Sequence, residues 1–147
     1  MAEKAPIIHI GITVTGIDEF VEFYSKYFGF ELKRRGVFPE GFIADTPELY
    51  KLKAGSYADF AFLESPNGIA LELFKFNELL PAQQYVWNRP GYHHLCLRVP
   101  DVPALYEKMS AEGVEFYFAP KRMGDADAHW VYLKDPDGNM LELQDTK

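Results

Sequence analysis

The sequence predicts an α+β fold: two β-α-β-β-β modules whose strands form a cupped mixed sheet. Three observations predict it. First, residues 62–74 (FLESPNGIALELF) recur as residues 132–144 (YLKDPDGNMLELQ). Each block is an apolar strand end, a turn with Pro and Gly, and a strand closing on Leu-Glu-Leu. Second, residues 9–30 (HIGITVTGIDEFVEFYSKYFGF) recur as residues 94–116 (HLCLRVPDVPALYEKMSAEGVEF). Each is a short β-type run starting at His, then a turn, a helical pattern and a Gly. Third, the four blocks keep the same order. His9 and His94 are 85 residues apart, whereas Glu72 and Glu142 are 70 apart. The second copy is therefore shorter in its middle, and residues 33–57 are expected to be extra loop in the first.

The elements follow in order. Strands are expected over residues 7–14, 30–34, 58–63 and 69–76, then over 94–99, 114–118, 129–133 and 140–144. In the first helix Phe20, Phe23, Tyr24 and Tyr27 make one apolar stripe. Asp18 and Glu19 suit its N-terminal dipole, and Gly29 suits the position past its end. In the second, Val102, Leu105, Tyr106 and Met109 repeat the spacing. Asp101 is the expected N-cap, Pro103 lies in the first turn and Gly113 stops the helix. The 147 residues are expected to form a single domain (1–147), with module one at 7–76, a connector at 77–91 and module two at 92–145.

Composition narrows the function. The net charge is −7 and no Lys/Arg cluster stands out, which disfavours nucleic acid as a partner. A single cysteine excludes an intrachain disulfide framework and a cysteine-based zinc site. No apolar run approaches the roughly 20 residues of a membrane helix, and no leader pattern opens the chain. The expectation is a cytoplasmic protein with a small-molecule substrate. Aromatic residues make up 16% of the chain and suit strands and an apolar pocket.

Strand alternation selects the candidate site. His9, Gly11 and Thr13 share a face, as do His94, Cys96 and Arg98. Glu72 lies with Ala70 and Phe74, and Glu142 with Met140 and Gln144. Two modules related by a pseudo-twofold axis would gather two His and two Glu inside one cup. That donor set suits a divalent metal ion: Zn, Ni, Co, Mn or Fe. Cys96 is read as a small buried hydrophobe and His93 as pointing to the face opposite His94. Phe38, Phe42, Tyr50, Tyr57 and Trp87 are candidates for a substrate lid or for packing.

The stretches HIGITV with its following helix, IALELF, GYHHLCLRV and DPDGNMLELQD resemble the vicinal oxygen chelate superfamily, which includes glyoxalase I, methylmalonyl-CoA epimerase, extradiol dioxygenases and bleomycin-resistance proteins. The resemblance covers essentially the whole chain. It implies that His9, Glu72, His94 and Glu142 are the metal ligands. Nearest are glyoxalase I-like and methylmalonyl-CoA epimerase-like members. Where bacterial glyoxalases hold glutathione with Arg and Asn, this chain has Thr13 and Phe76. Where the epimerases carry Gln, it has Glu72.

The resemblance implies a metal-dependent isomerase, epimerase or glyoxalase-type lyase that abstracts a proton next to a metal-bound carbonyl. Glu142 or Glu72 is the expected base, with Asp59 as a separate candidate and Glu40 a weaker one. Arg98 could hold a substrate carboxylate or phosphate, or form a structural ion pair. His129 could orient substrate. Two alternatives are an extradiol-type dioxygenase, which needs only two His and one Glu, and a non-catalytic ligand-binding or resistance protein. A homodimer is expected, and the modules could pair within a chain or swap across it.

Overall fold

Two short repeats of one plan account for the architecture. The computed structural model describes residue 1, residues 3–82 and residues 86–147. Contacts divide the chain into two compact units, Met1–Pro81 and Ala82–Lys147. Residues 83–85, inside the expected connector, lie outside the described residues.

In the first unit the order is β1 (His9–Thr13), α1 (Ile17–Phe28), β2 (Glu31–Phe38), α2 (Glu40–Ala44), α3 (Pro47–Tyr50), β3 (Ala58–Glu64) and β4 (Ala70–Phe76). The sheet runs β1-β4-β3-β2. β1 is parallel to β4, and the other pairs are antiparallel. In the second unit β5 (His94–Arg98), α4 (Val102–Ala111), β6 (Lys121–Arg122), β7 (His129–Lys134) and β8 (Met140–Gln144) repeat the order as β5-β8-β7-β6. Both are four-stranded mixed sheets, the α+β arrangement that the repeat predicts.

The Leu-Glu-Leu pattern explains why each sheet has two unlike faces. Leu71 and Leu73, with Ala61 and Leu63 on β3, are fully buried together with Phe20 and Tyr24 of α1. In the second unit Leu141, Leu143, Val131 and Leu133 are buried with Val102 and Met109 of α4. Each Leu, Val, Met and Phe among them contributes about 1.5–3 kcal/mol when removed from water. The intervening Glu must then point to the other face. The turns repeat too: Gly68 donates to the Ser65 carbonyl and Gly138 to the Asp135 carbonyl. Both glycines have φ near +84°, which explains their recurrence in the two blocks.

The helices end as expected. The Asp101 carboxylate accepts from the Ala104 amide at 2.8 Å. Gly29, at φ 69°, donates to the Ser25 carbonyl at 3.2 Å. Among the described residues no helix is long and apolar enough to cross a membrane.

Two expectations are corrected. Residues 33–57 are not all loop: β2 runs on to Phe38, and α2 and α3 follow. β2 is an edge strand rich in charge (ELKRRGVF), so its alternation is masked. The strand expected over residues 114–118 shrinks to a bridge between Phe116 and Leu133. The Tyr117 amide still donates to Tyr132, but regular pairing resumes only at Lys121 opposite Trp130. The segment between holds two more residues than its partner and ends at Pro120, which has no amide to give the ladder.

Candidate functional site

Register brings one His to one Glu in each unit. In the first, Gly11 of β1 lies beside Glu72 of β4, and His9 beside Ala70. His9 and Glu72 are therefore diagonal neighbours on one face. Their Nε2 and Oε2 atoms are 3.2 Å apart. In the second, Cys96 lies beside Glu142 and His94 beside Met140, and the His94–Glu142 distance is again 3.2 Å. The Glu side chains are well shielded, at 14% and 12% exposure.

The surroundings of the two pairs differ. Glu142 faces Tyr132 across β7, and the Tyr132 hydroxyl donates to its Oε2 at 3.1 Å. The Gln144 amide donates to its other oxygen at 2.8 Å. Burial, then the hydrogen bond to Glu142 and its charge, push the Tyr132 phenol well above its ordinary value. Opposite Glu72 stands Phe62, and two residues on stands Phe74. Among the described residues His9 is the polar side chain that meets Glu72. Both aromatic rings meet their His edge-on: Phe62 with His9 at 6.0 Å and Tyr132 with His94 at 5.2 Å.

The donor chemistry fits a divalent ion. Each pair offers an imidazole nitrogen and a carboxylate oxygen converging from one face. His94 also has the outer contact that a ligating imidazole uses: its Nδ1 lies 2.8 Å from Nδ1 of His93, which frees Nε2 to face Glu142. His93 thus stacks beside His94 at 4.9 Å instead of lying opposite. It precedes β5, so strand alternation does not govern it. Each unit supplies two donors, and among the described residues no group of three or more His, Cys, Asp or Glu is gathered as a metal site.

The other expected residues fall in various places. Arg98 is exposed, beside Gln144 on the His94 face, with no carboxylate ion pair among the described residues. Cys96 is exposed on that same face, not buried as expected, because it stands on the side away from α4. Partial desolvation, then the Glu142 charge, push its thiol up to about 11. Asp59 is exposed and pairs with Val37 and Lys75, on the face opposite Glu72. His129 takes the face opposite Tyr132 by alternation, and its Nδ1 lies 3.3 Å from Asp145. Burial raises the Asp145 carboxyl, but the His129 and Val102 amides and the His129 ring outweigh it and hold it low. Glu40 accepts from the Gly55 amide at 2.7 Å, which ties down the loop before β3. Trp87 packs on His93 at 4.3 Å and on Tyr132 at 5.7 Å. Tyr50 packs near Phe42 at 6.4 Å, while Tyr57 is exposed.

Tyr132 was not singled out from sequence, and Gln144 was placed on the Glu142 face without a role. The signal for them is register: a residue opposite Glu142, and one two positions along, must share its face.

A family model for the Glyoxalase/Bleomycin resistance protein/Dioxygenase superfamily matches residues 7–143. The chain belongs to this superfamily. It is 33% identical over 140 residues to a 2-epi-5-epi-valiolone epimerase from Actinomyces, covering 92% of this chain and 76% of that protein. It is 27% identical over 145 residues to a lactoylglutathione lyase from Pseudomonas putida, covering 92% and 82%. The fold matches that of a glyoxalase family protein from Bacillus cereus with a TM-score of 0.78 at 17% identity, covering 98% and 97% of the two chains. The superfamily contains enzymes and also proteins that are not enzymes.

Proposed function

We propose that this superfamily member is a metal-dependent isomerase or epimerase, or a glyoxalase-type lyase, that abstracts a proton next to a metal-bound carbonyl of a small-molecule substrate. The observation that carries the reading is the repeated His–Glu pair, with the same 3.2 Å separation in both units. Two relatives, one named an epimerase and one a lyase, support the same class. In this reading His9, Glu72, His94 and Glu142 together hold one divalent ion, from the set Zn, Ni, Co, Mn and Fe. The two modules supplying them pair within a chain or across a homodimer.

The ion, when bound, supplies Lewis acidity that makes the proton beside the carbonyl easier to remove. The chain's own residues do the rest. His93 holds the His94 ring through Nδ1. Tyr132 and Gln144 engage both oxygens of Glu142, which makes it the fixed ligand. Among the described residues Glu72 meets no such donors, so its carboxylate keeps lone pairs to take the substrate proton. Reprotonation of the same carbon from its opposite face, by water, gives an epimer, and return of the proton by Glu72 to the neighbouring carbon gives a hydroxyacid derivative. Asp59 and His129, on the faces away from the two Glu, are given no part in the proton transfer. Arg98, exposed on the His94 face, is assigned to an anionic group of the substrate.

The test is metal analysis combined with exchange. The purified chain is expected to retain stoichiometric divalent metal and to lose it in Glu142→Ala. Substrate turned over in D₂O is expected to gain deuterium beside its carbonyl. A fully folded chain that binds none of the five metals overturns the reading. Metal-dependent oxygen uptake with iron would support the dioxygenase instead.

A further inference from the structure

Rings crowd His94 and leave His9 open. Among the described residues the ring that meets His9 is Phe62, at 6.0 Å. Three rings meet His94: His93 at 4.9 Å, Tyr132 at 5.2 Å and Trp87 at 5.5 Å. The His9 side chain is 46% exposed and the His94 side chain 24%.

Tyr132 is buried in β7, so its place follows from the sheet. His93 and Trp87 lie outside the strands. Among the described residues the side chains that meet His93 are Trp87 and His94. The indole is the nearer ring, at 4.3 Å. A turn begins at Val86, whose carbonyl accepts from the Arg89 amide at 3.3 Å. Gly91, at φ 145°, then takes a backbone conformation that other residues rarely adopt, and the chain doubles back from Trp87 to His93. Trp87 nevertheless stays 59% exposed. Its inner side goes to three rings and the rest to water, so it adds little to the core. What its removal takes away is the contact that holds His93.

We infer that Trp87 is a positioning residue for the proposed ligand His94. The indole packs on His93, the His93 Nδ1 holds the His94 Nδ1 at 2.8 Å, and the His94 Nε2 is left facing Glu142. An imidazole fixed in advance gives up less freedom when it takes an ion, and so keeps the ion longer. His9 has no counterpart to this device, because the residue before it is the exposed Ile8. The His94–Glu142 pair is thus the firmer half of the ligand set. This rests on the metal-dependent reading above.

Metal release tests it on the full chain, loaded with zinc or, where zinc is not retained, with another of the five ions, and mixed with excess EDTA. Trp87→Ala is expected to release the ion about tenfold faster than the wild type, the low end of what outer contacts to a ligating His are worth. Trp87→Phe keeps a ring on His93 and is expected to stay within about threefold of the wild type. Trp130→Phe is the packing control: Trp130 meets Phe118 and Tyr132 and, among the described residues, neither His93 nor His94. It too is expected to stay within about threefold. The double variant of Trp87→Ala with His93→Ala is expected to lie within about threefold of His93→Ala alone, since the indole acts through His93. In the metal-free chain the ring-proton resonances of His93 and His94 are expected to move in Trp87→Ala, and those of His129 to stay.

Equal release by wild type and Trp87→Ala overturns the positioning role and leaves the metal reading standing. Equal acceleration in Trp87→Ala and Trp130→Phe shows packing alone and overturns it too, as do unmoved His93 and His94 resonances. Additive losses in the double variant overturn the route through His93. A folded wild type that retains none of the five ions overturns the metal reading and this inference with it.

Discussion

The two modules share a backbone plan and differ in what stands around the carboxylate. Leu71 and Leu73 are matched by Leu141 and Leu143, all buried. On the opposite face Phe62 is matched by Tyr132, Phe74 by Gln144, Gly11 by Cys96 and Thr13 by Arg98. The helix-facing side is alike in the two copies, where a cavity would cost several kcal/mol. The other face differs: apolar rings stand around Glu72, and hydrogen-bond donors around Glu142. A repeated fold can thus hold two chemically unlike His–Glu pairs without altering its core.

Removing each carboxylate is the most severe way to break this comparison. Glu142→Ala is expected to lose bound metal and all turnover, read by elemental analysis. Glu72→Gln is expected to lower kcat by about 10²–10⁴-fold, the usual worth of a general base, while losing less metal. Equal metal loss in both variants would erase the proposed division between ligand and base.

The shared core predicts a symmetrical effect. Leu73→Ala and Leu143→Ala are each expected to cost about 2–5 kcal/mol in denaturant unfolding, because both are fully buried. A large difference between them would show that the two cores are less alike than their sequences.

The donors on Glu142 predict an asymmetry. Tyr132→Phe is expected to weaken metal binding about 10–100-fold, measured by competition with a chromophoric chelator. Phe62→Leu, the corresponding change beside Glu72, is expected to leave that affinity within about threefold, since it removes no hydrogen bond.

The smallest effect is at Cys96. Its thiol is pushed up to about 11 from the ordinary 9.0, so the folded chain favours the neutral form. At neutral pH its alkylation by iodoacetamide is expected to be about 100-fold slower than in the denatured chain, rising roughly tenfold per pH unit up to about 11. Native and denatured rates that coincide at pH 7 would contradict a raised thiol beside Glu142.

Much of this was legible in the sequence because duplication supplies its own control. His9 with His94, and Glu72 with Glu142, stand out only because the frames around them repeat. The α+β class and both long helices followed from the same frames. β2 was cut short because Lys33, Arg34 and Arg35 disguise an edge strand. The strand near residue 116 was drawn too long because Pro120 interrupts it. Tyr132 was passed over because its relation to Glu142 depends on cross-strand register, which no single segment displays. Asp59 and His129 drew notice for their residue types, and the sheets place them on the faces away from Glu72 and Glu142.

The pairing of β1 with β4, and of β5 with β8, joins the first strand of each module to its last. These are the least local pairings in each sheet, so chain closure places them late in folding. Each His reaches its Glu only across such a pairing. On the proposed ligand set, ion capture during refolding is therefore expected to return after helix signal and hairpin formation, so that a bound metal would report the final step.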